Sequence, residues 1–304
     1  VRATNLRFGA DWLPSPPEVL ARPLDDQLDD LASLINGRSW TALTGAGIST
    51  DSGIPDYRGP ESPRATPMMY DEFVGSHKAR QRYWARSFLG WPRMRTAEPN
   101  AGHRALAELA AYGLNGLITQ NVDGLHHAAG SEPVIDLHGR ITKIICLDCG
   151  QLTERADHQQ RLLDLNPQIA GSEEDLRHAE FRPDGDAVVD DWSDFRVAPC
   201  LNCGGVLKPD VIFFGESVPK ERVQRCYDLI DSSEALLVAG SSLAVMSGLR
   251  FVRHDARRGR PVIIVNRGAT RGDDLANLRI DAGTSEVLTG LVARLRDGYR
   301  PVGH

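Results

Sequence analysis

Apolar residues along the chain alternate between short continuous runs and longer stretches of helical spacing. Leu24, Leu28, Leu31, Leu34 and Ile35 recur at that spacing through Asp25–Ile35, with acids near the start, and predict a helix. Ser39–Leu43 (SWTAL) predicts a strand, and Met68–Met94 lacks strand alternation and reads as helices. Asn100–Tyr112 has an N-cap residue at Asn100, apolar positions at Leu106, Leu109 and Ala110, and a terminating Gly113, so a helix is expected. Leu114–Thr119 is a buried strand, and Val134–Leu137 is another short apolar run. Beyond Lys208 the rhythm repeats: strand Val211–Phe214, helix Lys220–Asp231, strand Glu234–Gly240, a helix carrying Leu249, Phe251 and Val252, and strand Pro261–Val265. Strands alternating with helices imply an α/β fold with a parallel sheet covered on both faces. Pro14–Pro23 reads as an extended lead-in, and the chain has no internal repeat or low-complexity tract.

Polar residues gather directly after the strands, at Gly45, Gln120–Asp123, His138, Gly240–Ser242 and Asn266. In open α/β sheets, ligands bind outside the carboxyl ends of the strands. The stretch Thr44–Pro60 (TGAGISTDSGIPDYRGP) has the look of a strand running into a phosphate-binding turn, with Gly45 and Gly47 letting the backbone approach an anion. The dinucleotide fingerprint is incomplete, because Thr50 stands where its third glycine belongs. The tail Gly53–Arg58 adds a carboxylate, an aromatic ring and a guanidinium, groups able to hold an amide, cover a ring and pair a phosphate. The alternative for this stretch is a simple turn of a parallel-sheet protein.

Composition narrows the class. The 304 residues are 41% hydrophobic and 25% charged, ordinary globular values, and the net charge of −6 argues against a general nucleic-acid binder. No apolar run reaches the length of a membrane span, and Val1–Pro23 has no apolar signal region, so a cytoplasmic protein without membrane attachment is expected. Lys78, Arg80, Arg82, Arg86, Arg93 and Arg95 alternate with Tyr83, Trp84, Phe88 and Trp91. Such a segment could face nucleic acid, but in an acidic chain a helical lid with inward aromatics is the better reading.

Four of the five cysteines form two pairs, Cys146/Cys149 and Cys200/Cys203. Paired thiolates of this kind suit one closed tetrahedral zinc site in a reducing compartment. Gly150 and Gly204-Gly205 just past the pairs suit the tight knuckles that let two sulfurs grip one ion. The insert between the pairs far exceeds the roughly 15–20 residues of common zinc ribbons, so it folds back as a small lobe. With no open ligand position implied, the zinc is structural. Cys226, on an expected helix, reads as a core residue.

These motifs together resemble the sirtuins, the Sir2 family, over about Leu24 to Leu291. The resemblance rests on GAGISTDSGIPDYRG at 45–59, TQNVDGLH at 119–126, HG at 138–139, the two cysteine pairs, KPDVIFFGE at 208–216, GSSLAV at 240–245 and the strand ending at Asn266. The runs RQRYWARSFLGWP at 80–92, GSSLAVMSG at 240–248 and TRGDD at 270–274 resemble the class II group, which contains the mitochondrial sirtuin 4 type. The tyrosine–arginine pair that holds acidic acyl groups in class III is not evident.

The resemblance implies a Rossmann-like large domain (24–140 and 207–298) with a helical insertion at about 61–98, and a small zinc-binding domain at 141–206. It implies NAD as co-substrate and an acyl-lysine protein or peptide as partner, meeting in the cleft between the domains. The acyl oxygen would attack C1′ of the nicotinamide ribose, releasing nicotinamide. His138 would then act as general base on a ribose hydroxyl, giving O-acyl-ADP-ribose and free lysine. An imidazole titrates near neutrality, which suits it to that work. By the same resemblance Asn121 orders the ribose and a water, and Asp123 the nicotinamide amide. The nucleotide is expected against Gly45, Ala46, Gly47, Asp56, Tyr57, Arg58, Gln120, Val122, Gly240, Ser241, Ser242, Asn266, Arg267 and Gly268, with Thr284 near adenine through its backbone. The run Val211–Glu216, with Phe213, Phe214 and Gly215, is expected to pair with the peptide as an added strand, with Leu243–Met246 on its other side. Segment 78–95 is a candidate wall of the acyl pocket. Two rival readings are protein mono-ADP-ribosylation from the same NAD site and a zinc-ribbon module that binds nucleic acid or protein.

Overall fold

The computed structural model describes residues 22–57, 67–169 and 192–298. The lead-in up to residue 21, Arg58 and the start of the expected insertion at 61–66 lie outside the described residues. Six strands form a parallel sheet in the order β3-β2-β1-β7-β8-β9: β1 (Trp40–Thr44), β2 (Leu114–Thr119), β3 (Val134–Asp136), β7 (Ala235–Ala239), β8 (Val262–Val265) and β9 (Leu278–Ile280). The chain builds outward from β1 to one side and from β7 to the other, so the strand order reverses between β1 and β7. That reversal opens the crevice in which such sheets bind ligands.

Alternating side chains of each central strand feed two cores. Trp40, Ala42, Ala235, Leu237, Ile263 and Val265 pack on one face with α1 (Leu24–Ile35), α4 (Ala101–Leu109) and α9 (Thr284–Arg296). Leu43, Ile118, Leu236, Val238, Val262 and Ile264 pack on the other with α7 (Lys220–Asp231) and α8 (Met246–Arg257). Cys226 sits in this second core, fully buried, as its helical position implied. Each helix presents one apolar stripe, which is why they lie flat on the sheet.

A second, antiparallel sheet in the order β5-β4-β6 combines β4 (Gly139–Cys146), β5 (Leu152–Glu154) and β6 (Leu207–Val211). Here the expected strand Val211–Phe214 is corrected. The strand lies earlier, at Leu207–Val211, and pairs with β4 rather than continuing the parallel sheet. Its continuation turns away because Gly215 takes a φ of +85° and Glu216 folds back to accept from the Phe213 amide at 2.8 Å. Phe214 instead forms a single bridge to Met69, its carbonyl accepting from the Tyr70 amide at 2.9 Å.

Helices α2 (Tyr70–Gly75) and α3 (His77–Thr96) pack on this small sheet. Phe73, Tyr83, Trp84, Phe88, Trp91 and Met94 share one core with Ile141, Ile144, Leu162, Phe195, Leu207 and Phe213, so the aromatics of the basic segment do point inward. The fully buried Arg155 of α6 (Arg155–Leu165) lies 5.5 Å from the Trp84 ring and 4.9 Å from that of Trp91. Cation–π contacts of a desolvated guanidinium tie the insertion to the cysteine-bearing lobe.

Gly139, next to His138, marks where the two sheets meet. Its φ is +82°, and a Cβ there would stand 1.9 Å from the Asp210 carbonyl oxygen. Gly139→Ala is therefore expected to destabilise the protein by about 2–5 kcal/mol, the sum of a left-handed alanine and a backbone clash. Urea unfolding of the variant measures this.

Candidate active site

One cavity of about 470 Å³ opens at the carboxyl ends of the parallel strands. Every strand exit singled out from the sequence borders it: Gly45, Ala46 and Gly47 after β1, Gln120–Asp123 after β2, His138 after β3, Gly240–Ser242 after β7, and Asn266–Gly268 after β8. Asp56, Tyr57, Val211, Phe213, Phe214, Gly215 and Glu216 line it as well. Thr284 does not; it is the buried first residue of α9.

The glycine loop also makes close contacts within the protein. The Gly45 amide donates to the Ala239 carbonyl at 3.2 Å and the Gly47 amide to that of Gly240 at 2.8 Å. A Cβ on Gly45 would meet the Ser241 Cβ at 2.8 Å, and one on Gly47 the Gly240 carbonyl at 2.9 Å. These glycines let two loops touch backbone to backbone across the switch point, and their amides are already spent. Asn100 steadies the loop from α4: its side-chain amide donates to the Ile48 carbonyl at 2.7 Å while its oxygen caps the helix.

His138 has a fixed tautomer. Its Nδ1 lies 2.8 Å from the Gln120 carbonyl, which can only accept, so Nδ1 carries the proton. Nε2 is then an acceptor, 2.9 Å from Ser247 Oγ. The ring sits deep in the fold with one edge open to the cavity. Burial, and secondarily the Arg222 charge, lower its pKa to about 4 against the pull of the Gln120 carbonyl. The imidazole is thus neutral at pH 7, with a lone pair at Nε2.

Asn121 donates to the Gly45 carbonyl at 3.1 Å and to Ser49 Oγ at 2.9 Å. Ser49 in turn donates to Asp123 at 2.8 Å, and the other carboxylate oxygen accepts from the Leu125 amide at 2.9 Å. Burial pushes the Asp123 carboxyl up, opposed by those two hydrogen bonds. Ser241 donates to Gln120 Oε1 at 2.6 Å. Asn266 donates to the carbonyls of Arg267 and Gly268 at 2.9 and 3.1 Å.

Sequence reasoning passed over Ser49 and Ser247, although both lie in runs it quoted. A serine carries no spacing signal, and only the fold shows which partner it reaches. It also passed over Ile54, Met68, Val122's neighbour Ile141 and the other apolar residues that line the cavity. Segment 78–95 contributes two wall residues, Tyr83 and Met94.

Lys208, buried in β6, donates to Glu216 at 3.1 Å, and also contacts the Val211 carbonyl. Glu216 therefore holds both the Lys208 ammonium and the Phe213 amide, and this fixes the 212–216 turn at the cavity edge.

The four thiols form a separate cluster, none of them lining the cavity. Cys146 and Cys203 sulfurs are 3.5 Å apart, Cys149 and Cys200 3.8 Å, and all four lie within 4.8 Å of one another. A tetrahedral zinc thiolate site requires sulfurs about 3.8 Å apart, so the donor set fits one zinc ion. Backbone amides of Gln151 and Gly205 donate to Cys149 and Cys203 sulfurs, which suits thiolates. Gly150 and Gly204 take φ of +71° and +76° and close the two knuckles onto the Cys146 and Cys200 carbonyls.

The Sir2 family profile matches residues 45–247, about two thirds of the chain. The chain belongs to the Sir2 family. This sirtuin is 55% identical over 267 residues to NAD-dependent protein deacetylase 1 of Mycobacterium avium, an alignment covering 88% of this chain and 95% of that protein. It is 46% identical over 298 residues to the NAD-dependent protein deacylase SIR4 of Monosiga brevicollis, covering 95% and 96%. A solved Sir2 structure described as holding a p53 peptide and NAD+ superposes with a TM-score of 0.67 at 30% identity, covering 88% of this chain and 97% of that one. Among the described residues of the sirtuin, no helix is long and apolar enough to cross a membrane.

Three buried histidines and the half-buried His138 make the stability of this sirtuin depend on acid. Burial lowers His103 and His138 to about 4 and His158 to about 3, and puts His126 well below the ordinary value. An unfolded chain protonates them near 6.5, whereas the native protein resists until about 4, so the unfolded state binds more protons in between. Stability is therefore expected to fall as pH drops from about 6.5 towards 4, by up to about 1.4 kcal/mol per histidine per pH unit. Asp123, Asp210 and Asp255, pushed up by burial, oppose part of this. Urea midpoints at pH 7.5, 6 and 5 check the direction.

Proposed function

We propose that the chain is an NAD-dependent protein-lysine deacylase of the deacetylase type, which transfers the acyl group to ADP-ribose and releases nicotinamide. The observation that carries the reading is a cavity in which a neutral imidazole offers Nε2 among all five strand exits. NAD brings the activated glycosidic bond. The protein then has to orient the ribose, exclude water and remove one hydroxyl proton.

Asn121 and Ser49 stand beside the glycine loop and order the ribose, while Asp123 holds the carboxamide of nicotinamide. Tyr57 and Asp56 cover that end, with Tyr57 edge-on to Phe214 at 6.2 Å. Ser241, Ser242 and Asn266–Gly268 receive the phosphates and adenosine ribose. His138 takes the proton through Nε2, and its Nδ1–H stays on the Gln120 carbonyl, which stabilises the imidazolium. The peptide backbone lies along 212–216 and 244–245, and the acyl chain points to the apolar wall that includes Ile54, Tyr83, Met94 and Phe213. The zinc is structural, remote from the chemistry. The class II runs favour the sirtuin 4 type, and cysteine pairs whose spacing suits metal thiolates rather than disulfides favour the cytoplasm as its compartment.

Incubation with NAD and a panel of acyl-lysine peptides tests the reading by mass spectrometry. Free nicotinamide and O-acyl-ADP-ribose in equal amounts are expected. Label transferred from NAD to protein, with no O-acyl-ADP-ribose from any peptide, would replace it by mono-ADP-ribosylation.

A further inference from the structure

Ser247 stands where no sequence pattern assigned a role. It is the second residue of α8 and lines the cavity beside His138. Because the Gln120 carbonyl commits Nδ1 as the donor, Nε2 can only accept, and the 2.9 Å contact must be a hydrogen bond donated by Ser247 Oγ–H. Among the described residues that hydroxyl has no second partner, so its own lone pairs remain to accept a hydrogen bond from the cavity side. Serines at helix starts commonly bond neighbouring backbone groups; this one is turned onto the imidazole instead.

The neighbourhood holds the pair in place. Gly248 packs against Gln120, and a Cβ there would lie 2.8 Å from the Gln120 side-chain nitrogen. Gln120 thus touches α8 with its side chain and holds His138 with its carbonyl, closing a triangle around the Ser247–His138 bond. The amino end of a twelve-residue helix favours negative charge developing on that oxygen.

Resting on the deacylase reading above, we propose that Ser247 is a proton relay between the ribose hydroxyl and His138. The ribose O–H proton passes to Ser247 Oγ as the Ser247 proton passes to Nε2. The ribose oxygen gains the electron pair with which it attacks the acyl carbon, the serine hydroxyl is restored, and the imidazolium later returns its proton to water. Direct transfer would require the substrate to displace the serine from Nε2. The relay breaks no existing hydrogen bond.

The test compares wild type, Ser247→Ala and Ser247→Thr, with melting curves confirming the fold of each. Nicotinamide exchange reports bond cleavage before the base acts, and single-turnover O-acyl-ADP-ribose formation reports the base step. Ser247→Ala is expected to slow the second by about 10–100-fold, part of the range of general acid–base effects. Exchange and the KM values should be retained, and Ser247→Thr should restore most of the rate. A proton inventory in mixed H2O and D2O should be curved in wild type and linear in Ser247→Ala. Wild-type rates in Ser247→Ala, a linear inventory in wild type, or parallel loss of exchange and product formation would each overturn the relay. If wild type forms no O-acyl-ADP-ribose from any peptide, the deacylase reading itself falls, a result distinct from all three.

Discussion

His138→Ala is expected to bind NAD and acylated peptide normally yet form O-acyl-ADP-ribose about 10²–10⁴ times more slowly. The imidazole faces the cavity with a lone pair fixed by its tautomer, and it is uncharged at pH 7 because burial holds it near 4. Removing it leaves the Gln120 carbonyl and the Ser247 hydroxyl without their partner, but His138 belongs to none of the three apolar cores, so the fold should survive. Nicotinamide exchange should persist, since bond cleavage precedes the base. Loss of exchange together with loss of NAD binding would show that His138 organises the nucleotide site rather than moving a proton.

The second large effect concerns the metal. Structural zinc supplies roughly 10–16 kcal/mol to small metal domains, comparable with the whole net stability of a typical domain at about 5–15 kcal/mol. Chelation, or Cys200→Ser, is therefore expected to open the β4–β5–β6 lobe and cause aggregation. Cys146 and Cys200 are themselves core residues packed with Phe195, Leu207 and the aromatics of α3. Metal analysis, near-UV circular dichroism and light scattering check this, with one zinc per chain in the intact protein. A well-folded zinc-free protein whose turnover returns on adding metal would contradict a purely structural role.

The parallel sheet was legible because its strands are continuous apolar runs bounded by glycine and polar residues. The local signal is strongest where a strand is buried on both faces, as β1, β7 and β8 are. The small sheet was harder to read. Strand β4 alternates buried and half-buried residues and carries Arg140, Lys143 and Cys146, and β6 contains Lys208 and Pro209, so neither resembles a core strand. Their pairing is set by contact between β4 and β6, some sixty residues apart, which no local window contains.

For the site, chemistry-bearing residue types at strand exits foretold the cavity lining well. What escaped was the division of labour among them. Gly45 and Gly47 read as an anion cradle, and nothing in their spacing showed that they also bind the end of β7, almost two hundred residues away. Ser49 and Ser247 gain their meaning only from partners at Asp123 and His138.

The apolar wall proposed for the acyl chain has a consequence for linkage. Tyr83, Met94, Ile141, Val211 and Phe213 border the cavity, and the same five residues belong to the core that contains Cys146 and Cys200. A chain that fills the pocket packs against one continuous apolar body reaching to the metal. Occupancy on one side thereby raises the free energy of opening on the other, and the coupling is reciprocal. Acylated peptide should slow zinc release, and zinc should tighten peptide, although the two never meet.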